Sequence, residues 1–108
     1  MKKILFVDDE KRILKSLRRL FYNTDYNCFF ASGGKEALKI LKEYKINLII
    51  TDIRMPKMDG FELLKKVKKH YPKITRVALS GYTDKDAIME ALEANLIKLY
   101  FMEILVTF

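Results

Sequence analysis

The sequence holds no tryptophan, one cysteine, one histidine, two prolines and four glycines in 108 residues. Each scarcity removes a class of protein. A lone cysteine, Cys28, permits no internal disulfide, so a disulfide-stapled secreted domain is excluded and a reducing cytoplasm fits. Cys28 falls in a predicted strand, where a buried apolar thiol is expected. His70 and Cys28 are distant from each other, which argues against a zinc centre. No run of about 18 apolar residues exists, so no transmembrane helix is expected. Met1-Lys2-Lys3 followed by Ile4-Leu5-Phe6-Val7 has the outline of a signal peptide, but the apolar run is four residues long and acids follow at once. The loop after that run is Asp8-Asp9-Glu10, without the glycines that would cradle a nucleotide phosphate.

What is present is a chain half hydrophobic, without low-complexity tracts, long enough for one domain and one core. The net charge of +7 is carried mostly by lysine. Positive charge attracts nucleic acid in general. The lysines, however, are spread over predicted helix faces, as in Lys65-Lys66-Val67-Lys68-Lys69, without interleaved aromatics. Solvated faces are therefore expected, and nucleic-acid binding is disfavoured.

The most informative stretch is Ile46-Asn47-Leu48-Ile49-Ile50-Thr51-Asp52. A short β-branched run without polar alternation reads as a strand buried on both faces of a parallel sheet. It ends in a carboxylate, and Pro56 and Asp59-Gly60 follow as turn chemistry. Around it the chain reads as βα units. A strand over Lys3–Val7 leads to a helix from about Glu10 to Tyr22, with Ile13, Leu14, Leu17, Leu20 and Phe21 at helical spacing. A strand over Tyr26–Ala31 leads to a helix over about Lys35–Tyr44, with Ala37, Leu38, Ile40, Leu41 and Tyr44 inward. The Asp52 strand is third. A helix from Asp59-Gly60 to about His70, with Phe61, Leu64 and Val67 inward, stops at Tyr71-Pro72-Lys73. Thr75–Leu79 forms a fourth strand, Asp84–Ala94 a fourth helix and Ile97–Met102 a fifth strand. The expected fold is a doubly wound, five-stranded parallel α/β sheet in the flavodoxin-like order 2-1-3-4-5. The chain is expected to form one domain over residues 1–108, with the helix that would cover the last strand missing or truncated.

Asp8 and Asp9 follow the first strand and Asp52 ends the third. In that order these strands are neighbours, and the gap between them is the topological switch point. Three anions in a partly dry cleft repel one another and call for a proton or a cation. All-oxygen ligation selects a hard divalent ion, and Mg²⁺ suits a site with few protein ligands. A carboxylate beside that ion, Asp52, has the setting to attack a phosphoryl group and form an acyl phosphate. Ser80, at the end of the fourth strand, is placed to donate its hydroxyl to a phosphoryl oxygen or to cap a turn. Asp59 reads as a turn residue, and Met55 and Met58 as packing.

Three stretches carry a resemblance: Ile4-Leu5-Phe6-Val7-Asp8-Asp9-Glu10, Asp52-Ile53-Arg54-Met55-Pro56-Lys57-Met58-Asp59-Gly60, and Val77-Ala78-Leu79-Ser80-Gly81-Tyr82. The chain resembles the receiver domain of two-component response regulators, the CheY-like family, from Lys3 to about Tyr100. The resemblance implies phosphotransfer from a partner histidine kinase to Asp52. It implies Mg²⁺ held by Asp8, Asp9, Asp52 and the main-chain carbonyl of Arg54. Ser80 matches the hydroxyl residue that moves toward the phosphoryl group, and Tyr100 the aromatic that follows it. One departure stands out: where the family carries a lysine and then a proline, this chain has Glu103-Ile104. That departure implies either a variant with weakened switching or a chain end truncated or altered relative to a longer parent. A second reading follows from it, a switch-impaired pseudo-receiver acting as a homodimerisation module. A phosphohydrolase is disfavoured because Arg54 stands where a second acid would serve as general acid. The resemblance implies a sensor histidine kinase or phosphotransfer protein as partner and leaves room for an output domain in a longer parent; the lack of a long apolar run predicts no membrane partner.

Overall fold

The computed structural model describes residues 2–79 and 106–107. In chain order the elements are β1 (Lys3–Val7), α1 (Lys11–Leu20), β2 (Asn27–Ala31), α2 (Gly34–Glu43), β3 (Leu48–Asp52), α3 (Gly60–His70), β4 (Thr75–Leu79) and β5 (Val106–Thr107). They form one sheet in the order β2-β1-β3-β4-β5. β1 pairs in parallel with β2 and β3, and β3 pairs in parallel with β4.

The expected α/β architecture and the order 2-1-3-4 are therefore present. The edge beside β4 differs from the all-parallel expectation. It is held by the two-residue β5, which runs antiparallel with Val77 opposite Thr107 and Ala78 opposite Val106. The fifth strand expected over Ile97–Met102, the helix over Asp84–Ala94, and Ser80, Tyr100 and Glu103 lie outside the described residues.

The apolar strands are explained by helices on both faces. Side chains alternate across a strand, so β1 sends Ile4 and Phe6 to one side and Leu5 and Val7 to the other. Ile4 and Phe6 pack with Ile50, Val77 and the α1 residues Ile13 and Leu17. Leu5 and Val7 pack with Ile49, Ala78, and Ala37, Leu41, Leu63, Leu64 and Val67 from α2 and α3. All five residues of β3 are buried, which is why that strand shows no polar alternation.

Two side chains expected inside are not. Phe61 is 43% exposed and Tyr44 is 44% exposed. On α3 the buried arc is Gly60, Leu63, Leu64 and Val67, and at 100° per residue Phe61 falls on the margin of that arc. Tyr44 lies just past α2 in extended backbone, so it leaves the helix face and sets its ring against Phe29, centroids 4.6 Å apart. Asp59 does more than turn the chain. It is the N-cap of α3, its carboxylate accepting the Glu62 backbone N–H at 2.9 Å.

Cys28 in β2 is half-buried, as its strand position requires, and burial pushes its thiol up to about 11. The thiolate is the reactive form. Iodoacetamide at about pH 8 should therefore alkylate the folded protein roughly tenfold or more slowly than the urea-unfolded chain. Because the folded value lies above the ordinary 9.0, the thiol's contribution to stability is complete below that pH and fades as pH rises toward 11. Equal labelling rates in the two states would contradict this.

Candidate functional site

The sheet register builds the site. The last residues paired between β1 and β3 are Val7 and Thr51, so the next two, Asp8 just past β1 and Asp52 at the end of β3, lie side by side at the carboxyl edge of the sheet. α1 follows β1 toward β2, whereas α2 carries the chain back past β1 to β3 on the opposite face. The gap between β1 and β3 is thus the switch point of the fold, where a mouth opens at the carboxyl ends of the strands.

Asp8, Asp9 and Asp52 meet there, with one candidate ligand oxygen from each lying within 4.8 Å of the others. Asp8 and Asp52 are each only 4% exposed, and Asp9 is exposed. Backbone contacts fix the ends of the strands. The Asp8 N–H donates to the Ala31 carbonyl at 3.1 Å, continuing the β1–β2 ladder past Val7. The Asp8 carboxylate accepts the Glu10 N–H at 2.9 Å, which directs the chain into α1. Glu10 is the α1 N-cap and makes no side-chain capping bond; the acids grouped at the mouth are Asp8, Asp9 and Asp52.

Two unit charges about 4 Å apart repel by about 4 kcal/mol at an effective dielectric of about 20. The buried pair Asp8 and Asp52 therefore opposes folding when both are ionised, and exposed Asp9 adds to the negative potential. A hard cation relieves that repulsion, and an oxygen-only donor set of carboxylates fits Mg²⁺. The donor chemistry and spacing match that group, and Asp8, Asp9 and Asp52 are the residues that would hold it.

The loop after Asp52 is tightly determined. The Gly60 N–H donates to the Ile53 carbonyl at 2.8 Å, and the Met58 N–H to the Pro56 carbonyl at 2.8 Å. Lys57, between Pro56 and Met58, sits at φ 68°, a left-handed conformation uncommon for a residue with a side chain. The bond across it closes a γ-turn, the strained variety with positive φ at its centre. Met55 is buried at 8% exposure and Met58 packs beside Gly34, which confirms both methionines as packing. Arg54 lies on this loop and is exposed.

Two further residues hold Asp52, and the linear pattern gave little sign of either. The buried Thr51 hydroxyl donates to the Asp52 carbonyl at 2.9 Å. Thr51 is the one polar residue embedded before Asp52 in an apolar strand, which is the only signal the sequence carries. Gly60 reads as turn chemistry, but its place is set by packing. A Cβ there would collide with the Asp52 carbonyl oxygen and lie 2.8 Å from Ile53 Cα. Only glycine lets α3 begin this close to the end of β3.

A doubly wound α/β domain whose switch point gathers three carboxylates fit for a divalent metal is the class defined by this fold and site. Residues 4–99 match the family described as the response regulator receiver domain, and the chain belongs to that family. It is 37% identical over 86 residues to the hydrogenase transcriptional regulatory protein HoxA of Cupriavidus necator, covering 80% of this chain and 18% of that protein. It is 35% identical over 91 residues to sporulation initiation phosphotransferase F of Bacillus subtilis, covering 84% of this chain and 73% of that protein. Among solved structures, a response regulator receiver domain protein from Clostridium thermocellum superimposes with a TM-score of 0.70 at 33% identity, covering 87% of this chain and 76% of the other. The chain spans less than half the length of three transcriptional regulators it matches.

Because the neighbours of Gly60 are backbone atoms that cannot turn aside, Gly60→Ala should destabilise the fold by about 1–3 kcal/mol. At Gly34 the nearest atom to an added Cβ is Met58 Sδ at 2.5 Å, on a flexible side chain, and Ala is the better helix former by about 1 kcal/mol. Gly34→Ala should therefore cost less than Gly60→Ala. Urea denaturation of both variants checks the ranking, and a Gly60→Ala protein as stable as wild type would refute the close-approach argument.

Proposed function

We propose that Asp52 is the phosphoacceptor of this receiver domain, and that residues 1–108 act as one phosphorylation-dependent signalling unit rather than as a turnover enzyme. The observation that carries the reading is the convergence of Asp8, Asp9 and Asp52 oxygens within 4.8 Å at the switch point, in a chain that belongs to the receiver family. Asp52 is the acid at the end of the central buried strand, with its carbonyl gripped by Thr51 and its backbone packed on Gly60. That leaves its carboxylate on a rigid base facing the mouth.

In the transfer, an Asp52 carboxylate oxygen forms a bond to phosphorus while the bond from phosphorus to a partner's histidine nitrogen breaks. The imidazole departs with the bonding pair and takes up a proton. Asp8 and Asp9, with Asp52 and the Arg54 carbonyl, are the groups we assign to Mg²⁺, which when bound supplies charge neutralisation for the incoming phosphoryl oxygens. The partner we assign is a sensor histidine kinase or phosphotransfer protein. An output domain in a longer parent fits the greater length of the relatives. Ser80 and Tyr100 are assigned as the hydroxyl contact and the switch aromatic on the family's pattern alone.

If the cluster holds Mg²⁺, adding the ion at about ten times its dissociation constant should stabilise the folded chain by about 1.4 kcal/mol. Asp8→Asn should largely lose that response. Asp52→Asn should in addition abolish the mass increase of one phosphoryl group on incubation with a small acyl phosphate and Mg²⁺, whereas Asp59→Asn, at the α3 cap, should retain it. Intact-mass spectrometry and thermal melts read both effects. Phosphorylation persisting in Asp52→Asn would overturn the assignment.

A further inference from the structure

At the amino-terminal rim of the sheet, opposite the carboxylates, the described residues enclose a cleft of about 800 Å³. It lies between Lys2, the end of α2 with the turn into β3, and the turn from α3 into β4. A five-residue strand separates it from Asp52, or about 16 Å at the usual rise. Its floor is aliphatic and buried: Leu41, Ile46 and Ile74 are 4%, 5% and 9% exposed. Its lip carries four exposed lysines, Lys2, Lys42, Lys45 and Lys73, against one acid, Glu43.

The cleft is preformed. The Asn47 side chain accepts the Lys3 N–H at 2.8 Å, the Asn47 N–H donates to the Lys3 carbonyl at 2.9 Å, and the Thr75 N–H donates to the Asn47 carbonyl at 3.1 Å. Asn47 thereby ties together the starts of β1, β3 and β4 beneath the opening. α2 and α3 both end toward this rim, and Lys42 in the last turn of α2 offsets that helix's negative terminus. Lys45 and Lys73 lie beyond the helix ends.

We propose that this cleft docks an extended acidic segment of a partner protein. Carboxylates of that segment pair with Lys2, Lys42, Lys45 and Lys73, while an aliphatic or aromatic side chain sits on the floor of Leu41, Ile46 and Ile74. Charge complementarity selects an acidic occupant, and the aliphatic floor selects one that also carries an apolar anchor. No arginine lines the cleft among the described residues, although the α1 face has Arg12, Arg18 and Arg19. A lysine-only lip with a glutamate in it suits single carboxylates better than the bidentate phosphate pairing that arginine favours. The site is remote from Asp52, so it stands whether or not Asp52 is the phosphoacceptor.

The test uses the full chain and a fluorescein-labelled short peptide alternating Asp and Glu with Leu and Phe. Anisotropy titration measures affinity, and ¹⁵N-resolved NMR maps the contact. We expect shifts concentrated at Tyr44, Lys45, Tyr71 and Lys73, and affinity that falls with added salt. Lys42→Glu/Lys45→Glu/Lys73→Glu should weaken binding roughly tenfold or more, with Arg12→Glu/Lys15→Glu on α1 changing it by less than about twofold. Circular dichroism verifies folding, and Lys45→Gln/Lys73→Gln provides a milder variant with the same direction of effect. Shifts elsewhere, equal losses from cleft and α1 variants, or an oligothymidylate occupying the cleft as tightly as the peptide would each overturn the proposal.

Discussion

The structure turns on an enforced meeting of like charges. Asp8 and Asp52 are brought side by side because β1 and β3 pair in parallel with Val7 opposite Thr51, and nothing short of breaking that register separates them. Apolar burial supplies the force. Val7, Ile49, Ile50 and Thr51 are nearly inaccessible to water, and a one-residue slip would send every side chain of β3 to the wrong face. The repulsion at the mouth is therefore held by the core behind it. A mouth held in this way keeps its three carboxylates grouped by the fold alone, which is preorganisation in the ordinary sense.

The loop from 53 to 59 carries a second constraint from the same source. Its ends are fixed at Ile53 and Gly60 by a 2.8 Å hydrogen bond, and α3 is pressed against the Asp52 backbone. The positive φ at Lys57 is the local accommodation that lets the chain turn within so short a span. Strain of this kind persists where surrounding contacts over-determine the backbone, and here those contacts are the Asp59 cap, Met55 in the core and Met58 against Gly34.

Much of this was legible in the linear sequence because burial writes itself into residue choice. The apolar run ending at Asp52 announced a central strand, and the acids after Val7 announced the neighbouring strand end. Their convergence then followed from topology. The features that escaped were those where one residue type answers several needs. Gly60 looks like any turn glycine, and only the three-dimensional contact with Asp52 and Ile53 reveals why no Cβ fits. Thr51 looks like a β-former, and its hydroxyl bond to the next carbonyl is invisible to patterning. Phe61 and Tyr44 misled in the other direction. Hydrophobicity suggested the interior, but helix phase put one on the margin and chain exit put the other at the surface. The antiparallel β5 was missed because a two-residue edge strand carries almost no periodic signal.

The central place of β1 bears on how the chain acquires its shape during synthesis. Lys3 pairs with Asn27, and Ile4 with Leu48, so β1 is flanked by strands made after it. At about 5–20 residues per second, a ribosome would leave Phe6 and Leu5 without their permanent neighbours for several seconds. Over that interval α1 can shelter Phe6, on whose face it packs, whereas Leu5 on the other face waits for α2 and α3. The first crossover unit, β1–α1–β2, is thus the smallest piece that can hide its own apolar surface on even one side, and the acidic mouth comes into being only when β3 slots in as the final neighbour of β1.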